Sequence, residues 1–319
     1  DVSVGNFVSA EGITALSAAQ IVSQELADLL NEADEEAFSD WMLGDDGEVR
    51  LSLFDEVSAL ELFMASIEDD PQVTDGHVVL PENDRYRAVL AGSNNQQVVD
   101  LDGTVYTPLR DQTVYLLVDI QDKESGETLA RLDRNVLIHV EGEYAQEDIN
   151  PIPNVVPGLR EWVGLEGSFI VDADTRIAAE SEDAYQAALQ LRSYLSEMSD
   201  ISVEIVREGA REGDIVLNQD ATLSDELDEE GYLIHVGDQI VIDAPAYTGL
   251  LYGGVSISQI LYQDEMHARV PKGIIRDYPE YSVRGGMHDV ARKYFSLDYI
   301  GNGPLYGMVQ AEYAASAYQ

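Results

Sequence analysis

Cysteine is missing from all 319 residues, which removes disulfides, thiolate metal ligands and a sulfur nucleophile together. Lysine is nearly missing too, confined to Lys123, Lys272 and Lys293. Lysine and arginine number 18 against 61 acidic residues, a formal net charge of -43. A field of that sign repels phosphate backbones and anionic membrane surfaces, so nucleic acid is not an expected partner. The acids are spread along the chain rather than massed in one tail. That is the pattern of a heavily solvated surface, and adaptation to high salt is compatible with it. No apolar run approaches the ~18 residues of a membrane span, so no membrane insertion is expected. A secretory leader is not visible, and the sequence starts at Asp1 rather than Met. A processed or trimmed N-terminus fits that start, so the missing leader does not argue for the cytoplasm.

What is present suffices for real cores: 45% of the residues are hydrophobic, and the length suggests two or three domains. Residues 1–73 are the least legible. Ala15, Ala19, Val22, Leu26, Leu29 and Ala33 recur at helical spacing, Val49–Leu53 alternates as a strand would, and Val57–Met64 suits either a strand or a short helix. The order of Trp41, Val49–Phe54 and Val57–Phe63 faintly resembles discoidin-like sugar-binding sandwiches, against the alternative of a small structural module.

Residues 74–145 hold short apolar runs separated by turn residues about every 8 to 12 positions, which predicts a β-sandwich. The segment resembles the immunoglobulin-like spacers of bacterial surface glycosidases. His77 and His139 lie inside such runs without a companion at metal-ligand spacing, so they are read as strand residues. Residues 146–158 carry Pro151, Pro153 and Pro157, the composition of a stiff linker.

An α/β domain is expected over 159–278. Phe169–Val171 begins a strand. Ser181 caps a helix with Glu182 and Asp183 in its first turn and Ala184, Ala188, Leu191, Leu195 and Met198 as its buried stripe. Strands follow at Ser202–Val206 and Asp214–Leu217. Tyr232–Val236 and Gln239–Ile242 read as a hairpin turning at Gly237-Asp238. Then comes Gly249-Leu-Leu-Tyr252-Gly253, running into an apolar helix that contains Gln259 and Leu261.

The most informative stretch follows: Pro279, Tyr281, Arg284, Gly285, Asp289, Ala291 and Arg292. It resembles the first barrel strand of family-20 glycoside hydrolases, the β-N-acetylhexosaminidase and lacto-N-biosidase group, with the pattern P-x-[FY]-x-x-R-G-x-x-x-D-x-[AS]-R. Gly249, Tyr252, Gly253, Gln259 and Leu261 are similar to the signature of the small domain that precedes the barrel, and Val270–Pro279 to the strap that leads into it. The resemblance covers about residues 159–300. It implies a multi-domain chain: an immunoglobulin-like β-sandwich, the α/β domain, and over 279–319 the start of a (β/α)8 barrel. A whole barrel needs about 250 residues, so the barrel is incomplete here.

For the site, the resemblance implies that Arg284 grips hydroxyls of a terminal N-acetylhexosamine, a task suited to a guanidinium fork, against the alternative of an ion pair buried within the barrel. It places Asp289 and Arg292 in a salt-bridged barrel floor, and gives His288 no role beyond structure or rim. Family-20 catalysis is substrate-assisted: the substrate's acetamido oxygen attacks the anomeric carbon, an Asp steadies the oxazolinium, and the adjacent Glu protonates the leaving oxygen. That pair belongs on a later barrel strand, so no catalytic residue is assigned in this chain. Asp34-Glu35, Asp55-Glu56, Asp225-Glu226, Asp228-Glu229 and Asp264-Glu265 all precede Arg284 and read as chance neighbours in an acid-rich chain. No cofactor or metal is expected, since Asp172 and Asp174 lack a calcium loop's ligand series. The tail 301–319 departs from the family pattern. A glycan substrate and a secreted or bacterial cell-surface location are implied. The competing reading is a non-catalytic carbohydrate-binding or scaffold module.

Overall fold

A computed structural model describes residues 28, 41–43, 49–198, 202–281, 283 and 284, with positions 41, 42 and 50–58 described by backbone alone. The described residues fall into two compact units. The first holds those before Gln72 with Val79–Ala91 and Leu117–Val136. The second holds Gln72–Val78, Gly92–Leu116 and those from Leu137 onward.

In the first unit β1 (Trp41–Leu43) pairs antiparallel with β2 (Val49–Leu51), and α1 (Ser52–Ala65) follows at once. The strand expected over Val49–Leu53 therefore stops two residues early. Val57–Met64 is helical, as a stretch free of Gly and Pro allows. Phe63 and Ile67 are buried, and the Phe63 ring centroid lies 5.6 Å from that of Tyr86. Arg134 ties the helix exit down by binding Asp69 at 3.0 Å and the carbonyl of Ile67. Apart from Asp28, which is helical, the Ala15–Ala33 stretch lies outside the described residues.

The short ribbon of β3 (Val73–Thr74) and β4 (His77–Val78) precedes a four-stranded sheet. Its strands are β5 (Tyr86–Ser93), β6 (Gln112–Asp122), β7 (Thr128–Arg131) and β8 (Val136–Val140), in the order β5-β6-β7 with β8 also on β6. Strand β6 alternates cleanly. Val114, Leu116, Val118 and Ile120 are fully buried while Tyr115 and Leu117 face out, the two-residue period of a half-covered sheet. His77 and His139 are exposed residues of β4 and β8. The apolar run Val98–Leu101 forms no strand and contributes only a bridge from Val99 to Val105.

The α/β domain carries the site. In chain order it runs β9 (Glu161–Ile170), β10 (Arg176–Ala179), α2 (Glu182–Met198), β11 (Glu204–Val206), β12 (Ile215–Gln219), α3 (Ser224–Leu227), β13 (Tyr232–Val236), β14 (Ile240–Ala244), α4 (Tyr247–Gln263) and β15 (Arg269–Asp277). The sheet order is β11-β10-β12-β14-β13-β15-β9. Strands β10, β11, β12 and β14 are parallel, and the β14-β13-β15-β9 half is antiparallel. Helix α2 forms as expected: Ser181 Oγ accepts the Ala184 amide at 3.1 Å, and Ala184, Ala188, Leu191 and Leu195 are buried. Met198 is partly buried against the same core.

Three expectations are corrected here. Phe169–Val171 does not begin a strand: Phe169 and Ile170 end β9, which starts at Glu161, and Val171 lies just beyond it. Arg269–Asp277 is no strap: it is a sheet strand between β13 and β9, with a register irregularity between Pro271 and Gly273. A bulge is where a strand tolerates proline. The hairpin turns over three residues, since Val236 pairs with Ile240. A two-residue turn would set Gln239 opposite the fully buried Val236, on the core face.

The proline-bearing 146–158 segment is held along the domain. Gln259 accepts from the Val156 amide and donates to its carbonyl, both at 2.9 Å. Asn150 donates to the carbonyls of Gly167 at 2.7 Å and Lys272 at 3.0 Å, and accepts from the Trp162 indole at 3.1 Å.

At the opposite edge of the domain, fully buried Asp214 meets Arg176 at 2.6 Å and the Arg211 amide at 2.8 Å. Burial pushes its carboxyl up, but the Arg176 and Arg211 bonds outweigh that and hold it below the usual range. A depressed carboxyl stabilises the fold above its unfolded pKa, about 3.9, and that contribution fades as pH falls through the folded value. Asp214→Asn is expected to cost about 2 kcal/mol near pH 7, less than a wholly buried pair because Arg176 keeps some solvent. Urea midpoints of the variant and the parent chain should begin to converge below about pH 4 and meet only once the pH is below the folded-state value. A gap that persists in acid would assign the loss to packing instead.

Candidate functional site

The site lies in the second unit, where β15 ends and the chain continues to Arg284. Helix α4 and the α3–β13 turn build one wall. Gly253 brings α4 down onto the sheet: a Cβ there would lie 2.6 Å from Ile242 Cγ2. Gly249 presses its first turn against the segment before β13, where a Cβ would sit 2.3 Å from the Gly231 carbonyl oxygen. The Gly249 amide also donates to the Glu229 carbonyl at 3.2 Å. The two glycines of the G-x-x-Y-G run thus set helix against turn. Tyr252 between them aims its hydroxyl at Glu230, 3.3 Å away.

Beneath this wall a buried polar network closes the end of β15. Arg276, 1% exposed, binds Glu161, Glu226 at 2.7 Å and the Gln97 carbonyl. Glu161 also accepts the Leu109 amide at 2.5 Å and the Tyr278 hydroxyl at 3.0 Å. Desolvation lowers the affinity of Arg276 for its proton, but the charges of Glu161 and Glu226 more than restore it. The Tyr278 phenol is pushed up to about 12, first by burial and then by the Glu161 charge. Asp277 accepts from the Tyr232 hydroxyl at 2.5 Å and the Arg160 amide at 3.0 Å. Burial nonetheless lifts its carboxyl above the usual range.

Over the network opens a cleft of about 600 Å³ lined by Asn94–Gln97, Arg160, Asp228–Glu230 and Tyr278–Tyr281. Amides, carboxylates, a guanidinium and phenols suit a ligand rich in hydroxyl groups. Arg284 reaches its wall: Nη2 binds Glu230 at 2.7 Å and Nη1 binds the Tyr281 carbonyl. A second hollow, about 380 Å³ and lined by Val156, Tyr194, Met198, Val255 and Tyr262 among others, lies along α2 and α4.

Of the site residues expected from the sequence, only Arg284 is described, and it sits beside the cleft. Asp289, Arg292 and His288 lie outside the described residues. Tyr281, Val283 and Arg284 carry no strand, so the barrel strand expected there does not appear in the described part. Asp172 and Asp174 share an ordinary turn, closed by the Asp174 amide on Asp172 at 2.9 Å. Among the described residues no group of three His, Cys, Asp or Glu is placed to hold a metal ion, and no helix is long and apolar enough to cross a membrane. Glu226, read as half of a chance acidic pair, is a ligand of Arg276. Sequence reasoning missed Glu161, Arg276 and Glu230. The Glu–Trp at 161–162 and Arg–Asp at 276–277, each set beside apolar residues, were the available signal for the first two.

Comparison with known proteins returns the same group. The model of "Glycosyl hydrolase family 20, domain 2" matches residues 152–278. Lacto-N-biosidase of Bifidobacterium bifidum is 29% identical over 150 residues, 46% of this chain and 13% of that protein. A β-hexosaminidase of Vibrio furnissii is 29% identical over 135 residues, 42% of this chain and 21% of that protein. The matches thus span about a fifth or less of these relatives. A solved Streptomyces plicatus N-acetyl-β-hexosaminidase, in complex with thio-NAglucal, aligns over 52% of this chain and 33% of its own, with 23% identity and a TM-score of 0.45. The likeness to glycosyl hydrolase family 20 thus rests on the match of residues 152–278 to the family's domain 2.

Proposed function

We propose that this chain is part of a secreted or cell-surface exo-β-N-acetylhexosaminidase. The enzyme releases N-acetylhexosamine, or a disaccharide containing it, from the non-reducing ends of glycans. Residues 74–145 serve as an immunoglobulin-like spacer, 159–278 as the domain before the barrel, and 279–319 as the start of the (β/α)8 barrel. Hydrolysis is substrate-assisted and retaining, with the Asp-Glu pair supplied by barrel residues other than those of this chain. Arg284 holds sugar hydroxyls, and Asp289 and Arg292 brace the barrel floor. One observation carries this reading: Arg284, the arginine of the R-G motif, bonds to Glu230 and Tyr281, two residues that line a polar cleft, directly after the residues that match a family-20 domain 2.

The test is hydrolysis of p-nitrophenyl N-acetyl-β-D-glucosaminide by the full-length protein. Turnover is expected, and the 319-residue chain alone should show none. In the full-length protein Arg284→Ala should lower kcat/KM about 100-fold or more, the loss of two charge-assisted bonds to hydroxyls. Release of no N-acetylhexosamine, or wild-type kcat/KM in Arg284→Ala, would overturn the proposal. Turnover by the 319-residue chain would refute the placement of the acid.

A further inference from the structure

We propose that Glu230, backed by Tyr252, is a positioning residue that sets the plane of the Arg284 guanidinium, so that the α/β domain contributes to sugar binding. The inference rests on the sugar-binding role of Arg284 and adds a partner to it. Arg284 follows the last strand among the described residues, on a segment whose described residues have no regular structure. An arginine side chain on such a segment loses rotamer entropy when a ligand fixes it. Fixing it beforehand removes that cost from binding.

The geometry supplies the fixing. Nη2 binds Glu230 at 2.7 Å while Nη1 binds the Tyr281 carbonyl, so two points define the guanidinium plane. The Arg284 side chain is 12% exposed and that of Glu230 28% exposed, sheltered enough for the pair to hold one geometry. The carboxylate is itself held. The Tyr252 hydroxyl donates to the same oxygen at 3.3 Å, and the residues on either side of Glu230 are pinned to α4, Glu229 by its carbonyl bond to the Gly249 amide and Gly231 by its contact with Gly249. Tyr252 stands on a helix whose inner face is buried on the sheet. Its phenol is raised by burial and then by the Glu230 charge, with Arg284 opposing, which places all three groups in one electrostatic unit.

The test is a double-mutant cycle in the full-length protein, with kcat and KM on the chromogenic N-acetylglucosaminide and the thermal midpoint of each variant. Glu230→Gln is expected to reduce kcat/KM about 10-fold, with its thermal midpoint within a few degrees of the parent. Glu230→Asp should recover part of the loss. Glu230→Gln added to Arg284→Ala should reduce kcat/KM no further, because both act through one guanidinium. Should Glu230→Gln fail to fold, Tyr252→Phe reads the same coupling with a smaller expected loss of about 3-fold. Wild-type kcat/KM in Glu230→Gln, or losses that multiply in the double variant, would overturn the inference while leaving the role of Arg284 intact. Wild-type kcat/KM in Arg284→Ala would instead remove the reading beneath it.

Discussion

Glu161→Ala is expected to destabilise the 319-residue chain by about 4 kcal/mol, measured by urea denaturation near pH 7. Glu161 is 3% exposed and neutralises a guanidinium that is 1% exposed. Truncation leaves Arg276 with Glu226 and the Gln97 carbonyl, and it strips the Leu109 amide and the Tyr278 hydroxyl of an acceptor. A buried charge that loses its partner costs far more than the pair was worth intact, since desolvation has already been incurred. Glu161→Gln separates the contributions. An amide oxygen still accepts hydrogen bonds but carries no charge, so about half the loss is expected. The double change Glu161→Leu with Arg276→Met should not return to full stability, because the Leu109 amide stays buried without its acceptor. An alanine variant within 1 kcal/mol of the parent would mean that water replaces the carboxylate.

The same residues mark what could be read from the sequence. Helix α2 was legible in full because cap, acidic first turn and apolar stripe agree, the consistency that local signals need. The α3–α4 region gave its motif without its geometry: Gly249, Tyr252, Gly253 and Gln259 stood out as a pattern. Only contacts reveal that the glycines seat the helix, the tyrosine meets Glu230, and the glutamine grips Val156. Strands β9 and β15 were hidden for one shared reason. Glu161 and Arg276 break the apolar alternation of each strand, and each is tolerable inside only because the other is opposite it in the register. A pairing 115 positions apart leaves no local trace. Glu230 was hidden differently: in the run 228–231 it reads as one more solvated acid in a chain that has 61.

Substitutions along α4 should separate packing glycines from an incidental one. An alanine at Gly249 would place its Cβ 2.3 Å from the Gly231 carbonyl oxygen and 2.8 Å from Ala244 Cβ. Neither is the flexible end of a side chain, so helix and turn must part, at an expected cost of about 3 kcal/mol. At Gly254 the nearest neighbour would be Leu191 Cβ at 3.7 Å, an ordinary contact. There alanine gains the helix preference it holds over glycine, and stability should rise by about 0.5–1 kcal/mol. Gly253→Ala falls between, because its one close neighbour, the Ile242 methyl at 2.6 Å, is a side-chain atom rather than backbone. The three urea midpoints should therefore order as Gly254→Ala above the parent chain, then Gly253→Ala, then Gly249→Ala. The order matters beyond stability, since parting α4 from the 229–231 turn also draws Tyr252 away from Glu230. A Gly249→Ala chain as stable as its parent would show that the turn yields at little cost, and so that it cannot hold the Glu230 carboxylate rigidly against Arg284.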